Sequence, residues 1–362
     1  MKKRISILIA LMLVALLAFA ACQQPASPPA DTGGGDTGQT QQEEPAAPAD
    51  TGGGDTYTIG YLGWDLGQDW NIYTFGGLKW GADKYGWTVL DSDAKIDADA
   101  QMSAAQQFIA QGVDYMAMFP VTPESGATIV RMCNEAGIPI AVDNTFLPVD
   151  GSAGEMVGQV ACQYDDIGYA AVKWAAENVP DAKLLYVHGG PGEGVYEQYQ
   201  IGVDRALDDF SDSIEMVGLI NGEWITEVSF TVTQDYIAAG GADFNVIFAN
   251  NDAQAKGVHQ ALKDTSYEGT PIISTGGSTT GFEMLDAGEE AANMTAPANL
   301  QGIIQFGMLL AHAHNMPWGD AKIPLPVIPI DSNNKSDWIF WEDMDAGYAY
   351  VVENVGPYVV PF

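Results

Sequence analysis

The stretch Val246-Ile247-Phe248-Ala249-Asn250-Asn251-Asp252 decides the fold. Four consecutive apolar residues read as a strand, three polar residues end it, and a helical pattern follows from Ala253 to Lys263. A strand with a polar carboxyl end running into a helix is half of a βαβ unit, which implies a parallel sheet. One of Asn250, Asn251 and Asp252 should cap the helix, since a short polar side chain can accept from its first free backbone N–H groups. Asp252 is the candidate singled out for that task.

The same alternation runs back to Tyr57. Strands are expected at 57–62, 88–90, 114–119, 138–142 and 155–161, with helices at about 71–85, 98–111 and 124–136 between them. After Cys162 the series restarts. Helices are expected at about 166–178, 195–210, 227–239 and 253–263, and strands at 183–187, 214–219, 246–249 and 271–274. Two consecutive series imply an α/β protein of two Rossmann-like lobes with parallel sheets joined by a hinge. In such sheets ligands lie beyond the carboxyl ends of the strands, so those loops are where a site is sought.

The first of them is Gly63-Trp64-Asp65-Leu66-Gly67-Gln68-Asp69-Trp70-Asn71. Two indoles interleaved with amides and carboxylates supply what a pocket needs, apolar bulk for burial and a few polar atoms for orientation. Flat aromatic faces suit the C–H faces of a sugar ring, and Asn, Gln and Asp suit its hydroxyls. The fourth strand ends in Asp143-Asn144, also at a carboxyl end.

The N-terminus says where the chain works. Lys2, Lys3 and Arg4 precede an apolar run from Ile7 to Ala20, and small residues lead to Cys22. That is the layout of a secretory signal. The run is too short and too early to favour a permanent membrane span. Leu17-Ala18-Phe19-Ala20-Ala21-Cys22 resembles a bacterial lipobox, with Phe19 a departure from the usual Leu, Val or Ile. The resemblance implies a cleaved signal (residues 1–21), a lipidated Cys22 and an extracytoplasmic protein held at the cell membrane. Residues 22–56 then form an acidic, Gly- and Pro-rich linker in which the octad from Ala30 to Thr37 recurs from Ala49 to Thr56. With no aromatic residue and, proline aside, no aliphatic side chain larger than Ala after Cys22, it cannot offset its ordering entropy and is expected to be a disordered spacer reaching roughly 30 Å.

The chain carries 14 basic and 48 acidic residues, a formal charge of −34. Such a surface repels nucleic acid and anionic headgroups, so DNA and RNA are set aside as partners. Beyond Cys22 there are only Cys133 and Cys162, whose spacing implies no stapled framework; buried free thiols are expected.

With these residues in view, the region from Tyr57 to about Gly319 resembles the type I periplasmic sugar-binding proteins, the ribose- and xylose-binding group of ABC importers. The matching stretches are Gly81-Ala82-Asp83-Lys84-Tyr85-Gly86, Gly137-Ile138-Pro139 leading to Asp143, and Ile247-Phe248-Ala249-Asn250-Asn251-Asp252 followed by Gly257. The resemblance implies one lobe of residues 57–161 with about 297–362, and a second of 162–296. It places ligand contacts at Gln68, Trp70, Asn71, Asp143, Asn144, Tyr199, Trp224 and Asn251, to which the loop reading adds Trp64. The family's second-lobe Arg falls on Tyr199, its later Asp on Gly276 and its hinge Gln near Ala296. The Arg fork that clamps ribose is thus missing, and the guest is expected to be a different neutral sugar or polyol, or a nucleoside or other small neutral solute. Trp70 and Trp224 are expected to sandwich it. The implied protein is a monomer with no cofactor, no metal and no catalysis, delivering its guest to an ABC permease. The alternative is a sensory lipoprotein that presents a sugar or nucleoside to a chemoreceptor or kinase.

Other chemistry fails on spacing. His188-Gly189-Gly190-Pro191-Gly192-Glu193-Gly194 follows a strand like an esterase oxyanion loop, but no G-x-S-x-G elbow accompanies it; Gly276-Gly277-Ser278-Thr279-Thr280 fails at its last position. The loop also lacks the Lys-Ser/Thr ending of a P-loop and is read as a turn at the cleft. His312 and His314 point to different faces of a helix. Asp91, Asp93, Asp97 and Asp99 lack the Gly and closing Glu of a calcium loop. The tail from Pro324, with Trp338, Trp341 and aromatics from Tyr348 to Tyr358, is expected to pack back on the lobes as strands.

Overall fold

Parallel neighbouring strands need a crossover connection, usually a helix, and such units build both halves of the molecule. The computed structural model describes residues 55–148, 150–316 and 322–355. The signal, Cys22, nearly all of the linker and Tyr358 lie outside them. Among the described residues no helix is long and apolar enough to cross a membrane.

The first series comprises β1 (Thr58–Gly63), α1 (Asp69–Lys84), β2 (Thr88–Asp93), α2 (Ala98–Gln111), β3 (Tyr115–Met118), α3 (Pro123–Ala136), β4 (Ile140–Asp143) and β5 (Gly158–Cys162). The second comprises α4 (Tyr164–Asn178), β6 (Ala182–His188), α5 (Val195–Asp209), β7 (Ile214–Asn221), α6 (Thr226–Ala238), β8 (Val246–Ala249), α7 (Asp252–Leu262), β9 (Ile272–Gly276), α8 (Thr279–Ala287) and β10 (Ala292–Thr295). Four elements follow: α9 (Ala298–Ala313), β11 (Lys322–Leu325), β12 (Ile328–Asp331) and α10 (Met344–Asn354). The two sheets have the orders β11-β5-β4-β3-β1-β2 and β12-β10-β9-β8-β6-β7. Every pairing is parallel except that of β12 with β10. In each sheet the winding reverses beside one strand, β1 between β2 and β3 and β6 between β7 and β8. A ligand crevice belongs at those reversals.

The central strands are buried on both faces, as the continuous apolar runs require; β3, β4 and β8 have no exposed residue. Helix pairs close over them through glycines that let backbones touch. A Cβ on Gly302 of α9 would lie 1.8 Å from the Thr74 carbonyl of α1, and one on Gly202 of α5 would lie 1.7 Å from the Asp165 carbonyl of α4. Cys133 and Cys162 are buried and unbonded.

The tail departs from expectation. Residues 344–354 form a helix, not strands: Asp343 caps it by accepting from the Ala346 N–H, and Gly347 and Val351, one turn apart, face inward. Gly347 sits against Asn299 and Leu300 of α9. Nor does the whole tail belong to the first lobe, because β12 extends the second sheet while β11 extends the first. The chain therefore passes between the halves after β5, after β10 and after β11, and again between β12 and α10.

Candidate functional site

A cavity of about 360 Å³ lies between the carboxyl ends of the two sheets, a size within the range of small-molecule pockets. The halves meet beside it: a Cβ on Gly194, before α5, would lie 3.0 Å from Pro123 Cγ at the start of α3. This is a closed arrangement.

The first-lobe wall is built by buried amides that hold the strand ends. Gln101 of α2 donates from Nε2 to the carbonyls of Leu62, Gly63 and Phe119, and its Oε1 accepts from the Val121 N–H. This lacing fixes the loop after β1 against the loop after β3, so that Trp64 stacks on Phe119 with centroids 6.0 Å apart. Asn71 is spent on the same task. Its Oδ1 accepts from the backbone of Trp64 and Asp65, and its Nδ2 donates to the Tyr61 hydroxyl at 2.7 Å. Gln68 precedes α1, lines the cavity and makes no capping bond. Trp70 is oriented by its Nε1, which donates to Asn144 Oδ1 at 2.9 Å. That same oxygen accepts from the Tyr164 hydroxyl at 2.5 Å. Asn144 holds φ at 65°, a left-handed conformation that Asn tolerates better than most residues.

The second-lobe wall has its own unusual backbone. Glu223 and Trp224 both take positive φ, 52° and 64°, and non-glycine residues so held cluster at functional sites. The turn is retained by two bonds: Asn221 Oδ1 accepts from the Glu223 N–H at 3.0 Å, and Asn251 Nδ2 donates to the Trp224 carbonyl at 3.2 Å. The indole then lies across Gly189, where a Cβ would sit 2.0 Å from the ring, so this position of the loop after β6 must be glycine. Trp224 Nε1 donates to Glu193 Oε2 at 3.0 Å. Burial, the larger effect, raises the Glu193 carboxyl to about 7 against the opposing pull of that bond. Tyr199 is buried, with its hydroxyl 2.8 Å from Thr275 Oγ1.

Of the nine residues expected to bind, eight line the cavity: Trp64, Gln68, Trp70, Asn71, Asn144, Tyr199, Trp224 and Asn251. Asp143 is not brought to its wall. It is fully buried one residue behind Asn144, both oxygens lack a partner among the described residues, and burial pushes its carboxyl well above the usual range. Burial of this kind disfavours the charged form of a carboxyl.

The helix cap also moves by one residue. Asn251, not Asp252, caps α7, accepting from the Gln254 N–H at 2.7 Å. The neighbouring Asn250 carries the available amide. Its Oδ1 accepts from Gly189 N–H and the Tyr186 hydroxyl, while its buried Nδ2 has no partner among the described residues and the residue lines the cavity. Asp252, the first residue of α7, accepts three hydrogen bonds, from Ser274 Oγ, the Ser278 N–H and Asn293 Nδ2; it shapes the wall. Phe119, Glu193, Lys256 and Trp341 also line the cavity without having been singled out as binders. Glu193 lies in the glycine-rich loop already read as a turn at the cleft; Trp341 had no local signal.

A site of this kind, with indoles from both halves and few free polar atoms, can enclose a small solute. Residues 59–315 match the family model described as periplasmic binding protein domain. The xylitol-binding protein of Mycolicibacterium smegmatis is 26% identical over 202 residues, 55% of this chain and 56% of that protein. The D-xylose-binding periplasmic protein of Escherichia coli is 22% identical over 224 residues, 60% of this chain and 66% of that protein. The chain thus spans somewhat less than two thirds of these relatives. Among solved structures, an ABC transporter solute-binding protein from Bacillus halodurans with bound myo-inositol superposes with a TM-score of 0.71 at 20% identity, covering 80% of this chain and 99% of its own. The arabinose-transporter binding protein of a Shewanella species, bound to L-arabinofuranose, gives 0.72 at 19% identity over 82% and 98%. At such identity the likeness is one of fold.

Proposed function

The chain belongs to the periplasmic binding protein family, and from that premise we propose that it captures a small neutral sugar or polyol outside the cytoplasm and hands it to an ABC import permease. Cys22 carries the lipid that keeps it at the membrane, and the linker sets its distance. One observation carries the ligand class: indoles from both lobes, Trp70 and Trp224, line one closed cavity whose wall also includes Asn250, a residue with an unpartnered buried amide. Flat apolar faces and a neutral donor suit a ring whose edge bears hydroxyls, and an enclosed donor left unpaired would cost about 1–3 kcal/mol. Proteins similar in sequence or fold are named for xylitol, D-xylose, ribose, myo-inositol and L-arabinofuranose, which defines the panel to test.

The expected outcome is calorimetric binding of at least one panel member by the wild type. Trp224→Ala should weaken it by roughly 10-fold or more, as removal of a buried aromatic anchor does. Asn250→Asp keeps the acceptor used by Gly189 and Tyr186 but replaces the free amide, and should weaken binding by roughly 10–100-fold. A wild type that binds no panel member, or variants that bind as it does, would overturn the reading.

A further inference from the structure

The tail supplies a wall of this cavity. After β12, its side chains pack on the second lobe: Trp338 and Phe340 lie edge-on to Phe282 of α8, with centroids 5.4 and 4.9 Å away. By α10 it rests on the first lobe, with Gly347 against Asn299 and Tyr348 beside Trp80 of α1 at 5.5 Å. Residues 338–343 therefore cross from one half to the other, and they do so at the cavity.

Trp341 stands at the crossing. It is 3% exposed and lines the cavity. Its ring lies edge-on to Trp70 at 5.3 Å and to Tyr73 at 5.7 Å, both on α1. Its Nε1 donates to the Gly276 carbonyl at the end of β9, 3.1 Å away. Gly276 holds φ at 121°, which glycine alone adopts without strain, and a Cβ there would lie 3.5 Å from the Trp341 ring. The indole therefore occupies the side of the pocket that a larger residue at 276 would face. The next residue ties both halves with one atom: Glu342 Oε1 accepts from the Tyr73 hydroxyl at 3.0 Å and from Thr279 Oγ1 of α8 at 2.8 Å.

We propose that Trp341 is a ligand-contacting residue that sets the size of guest the cavity accepts, and that Glu342 is the positioning residue that holds it across the cleft. This rests on the sugar-receptor reading above. The indole offers the guest an apolar face perpendicular to that of Trp70; Trp341 and Glu342 touch both halves in the closed form, so an opening that parted α1 from α8 would cost those contacts, and the tail favours closure around a guest that fits.

The test titrates wild type, Trp341→Phe, Trp341→Ala, Glu342→Ala and Glu342→Gln with D-xylose, xylitol and myo-inositol by calorimetry, alongside thermal melts. Trp341→Ala is expected to weaken the best of the three by 10-fold or more and to shift the affinity ratio towards the six-carbon myo-inositol. Trp341→Phe, which keeps a ring, should fall between. Glu342→Ala should weaken binding a few-fold and Glu342→Gln should restore it, since its amide oxygen still accepts both bonds. If wild type binds while Trp341→Ala and Trp341→Phe match it, the tail's role is overturned and the receptor reading stands. A loss equal for all three solutes, accompanied by a lower melting temperature, also overturns it, because the residue is then only structural. If wild type binds none of the three and neither ribose nor L-arabinofuranose, the receptor reading itself falls, and the ligand role of Trp341 with it.

Discussion

Glu193 shows how one side chain in the pocket can be followed from outside. Its carboxyl titrates near 7 when folded, against 4.5 for the free side chain, because burial disfavours the charged form. A carboxyl whose folded pKa is raised contributes stability that is full below pH 4.5 and is lost as pH rises through about 7. Glu193→Gln should remove that part of the slope, so melting temperatures of wild type and variant should diverge steadily between pH 4.5 and 7. Comparing the two isolates Glu193, since His188, whose pKa burial lowers, is common to both. Parallel curves would remove Glu193 from the buried wall. Residue identity was legible in part. The loop from Gly63 to Asn71 advertised its indoles, but nothing local shows that Asn71 is consumed by Tyr61 and two backbone amides, or that Asn250 and not Asn251 keeps a free amide. Asp143 and Asn144 are consecutive at a strand end, and only packing sends one behind the wall and the other into it.

Elements were more legible than their partners. The strands at β1, β6 and β8 stood out as apolar runs because both faces are buried, and their helices as the amphipathic intervals between them. The region after β9 gave no clear period, since α8 has nine residues and β10 four. The tail misled for a physical reason: Trp338, Trp341, Tyr348 and Tyr350 look like an aromatic strand pattern, yet the inward residues of 344–354 are Gly347 and Val351. Packing between elements depends on glycines whose purpose sequence does not reveal. Gly202 is one: a methyl there would press within 1.7 Å of the Asp165 carbonyl and drive α5 off α4. Gly202→Ala should therefore destabilise the folded chain by roughly 1–3 kcal/mol, as overpacking does, seen as a lower urea midpoint. An unchanged midpoint would mean the two helices are not in backbone contact.

At the scale of the molecule, the contact of Gly194 with Pro123 marks a closed form, and closure by ligand requires that contacts from both halves be lost on opening. Solution scattering should accordingly give a smaller radius of gyration with a saturating panel sugar than without; identical curves for a protein shown to bind would refute hinged closure. The sequence by itself determined the class of fold, the pairing of series into two parallel sheets and the loops where a site must lie, because hydrophobic period and strand-end polarity are local properties. Only the tertiary structure decided which amides remain free, that Asp143 is withdrawn, and that a tail reaching back from residue 341 closes the pocket. Those outcomes depend on which atoms meet across hundreds of residues of chain, and hydrogen bonds and close packing are satisfied in space, not along the sequence.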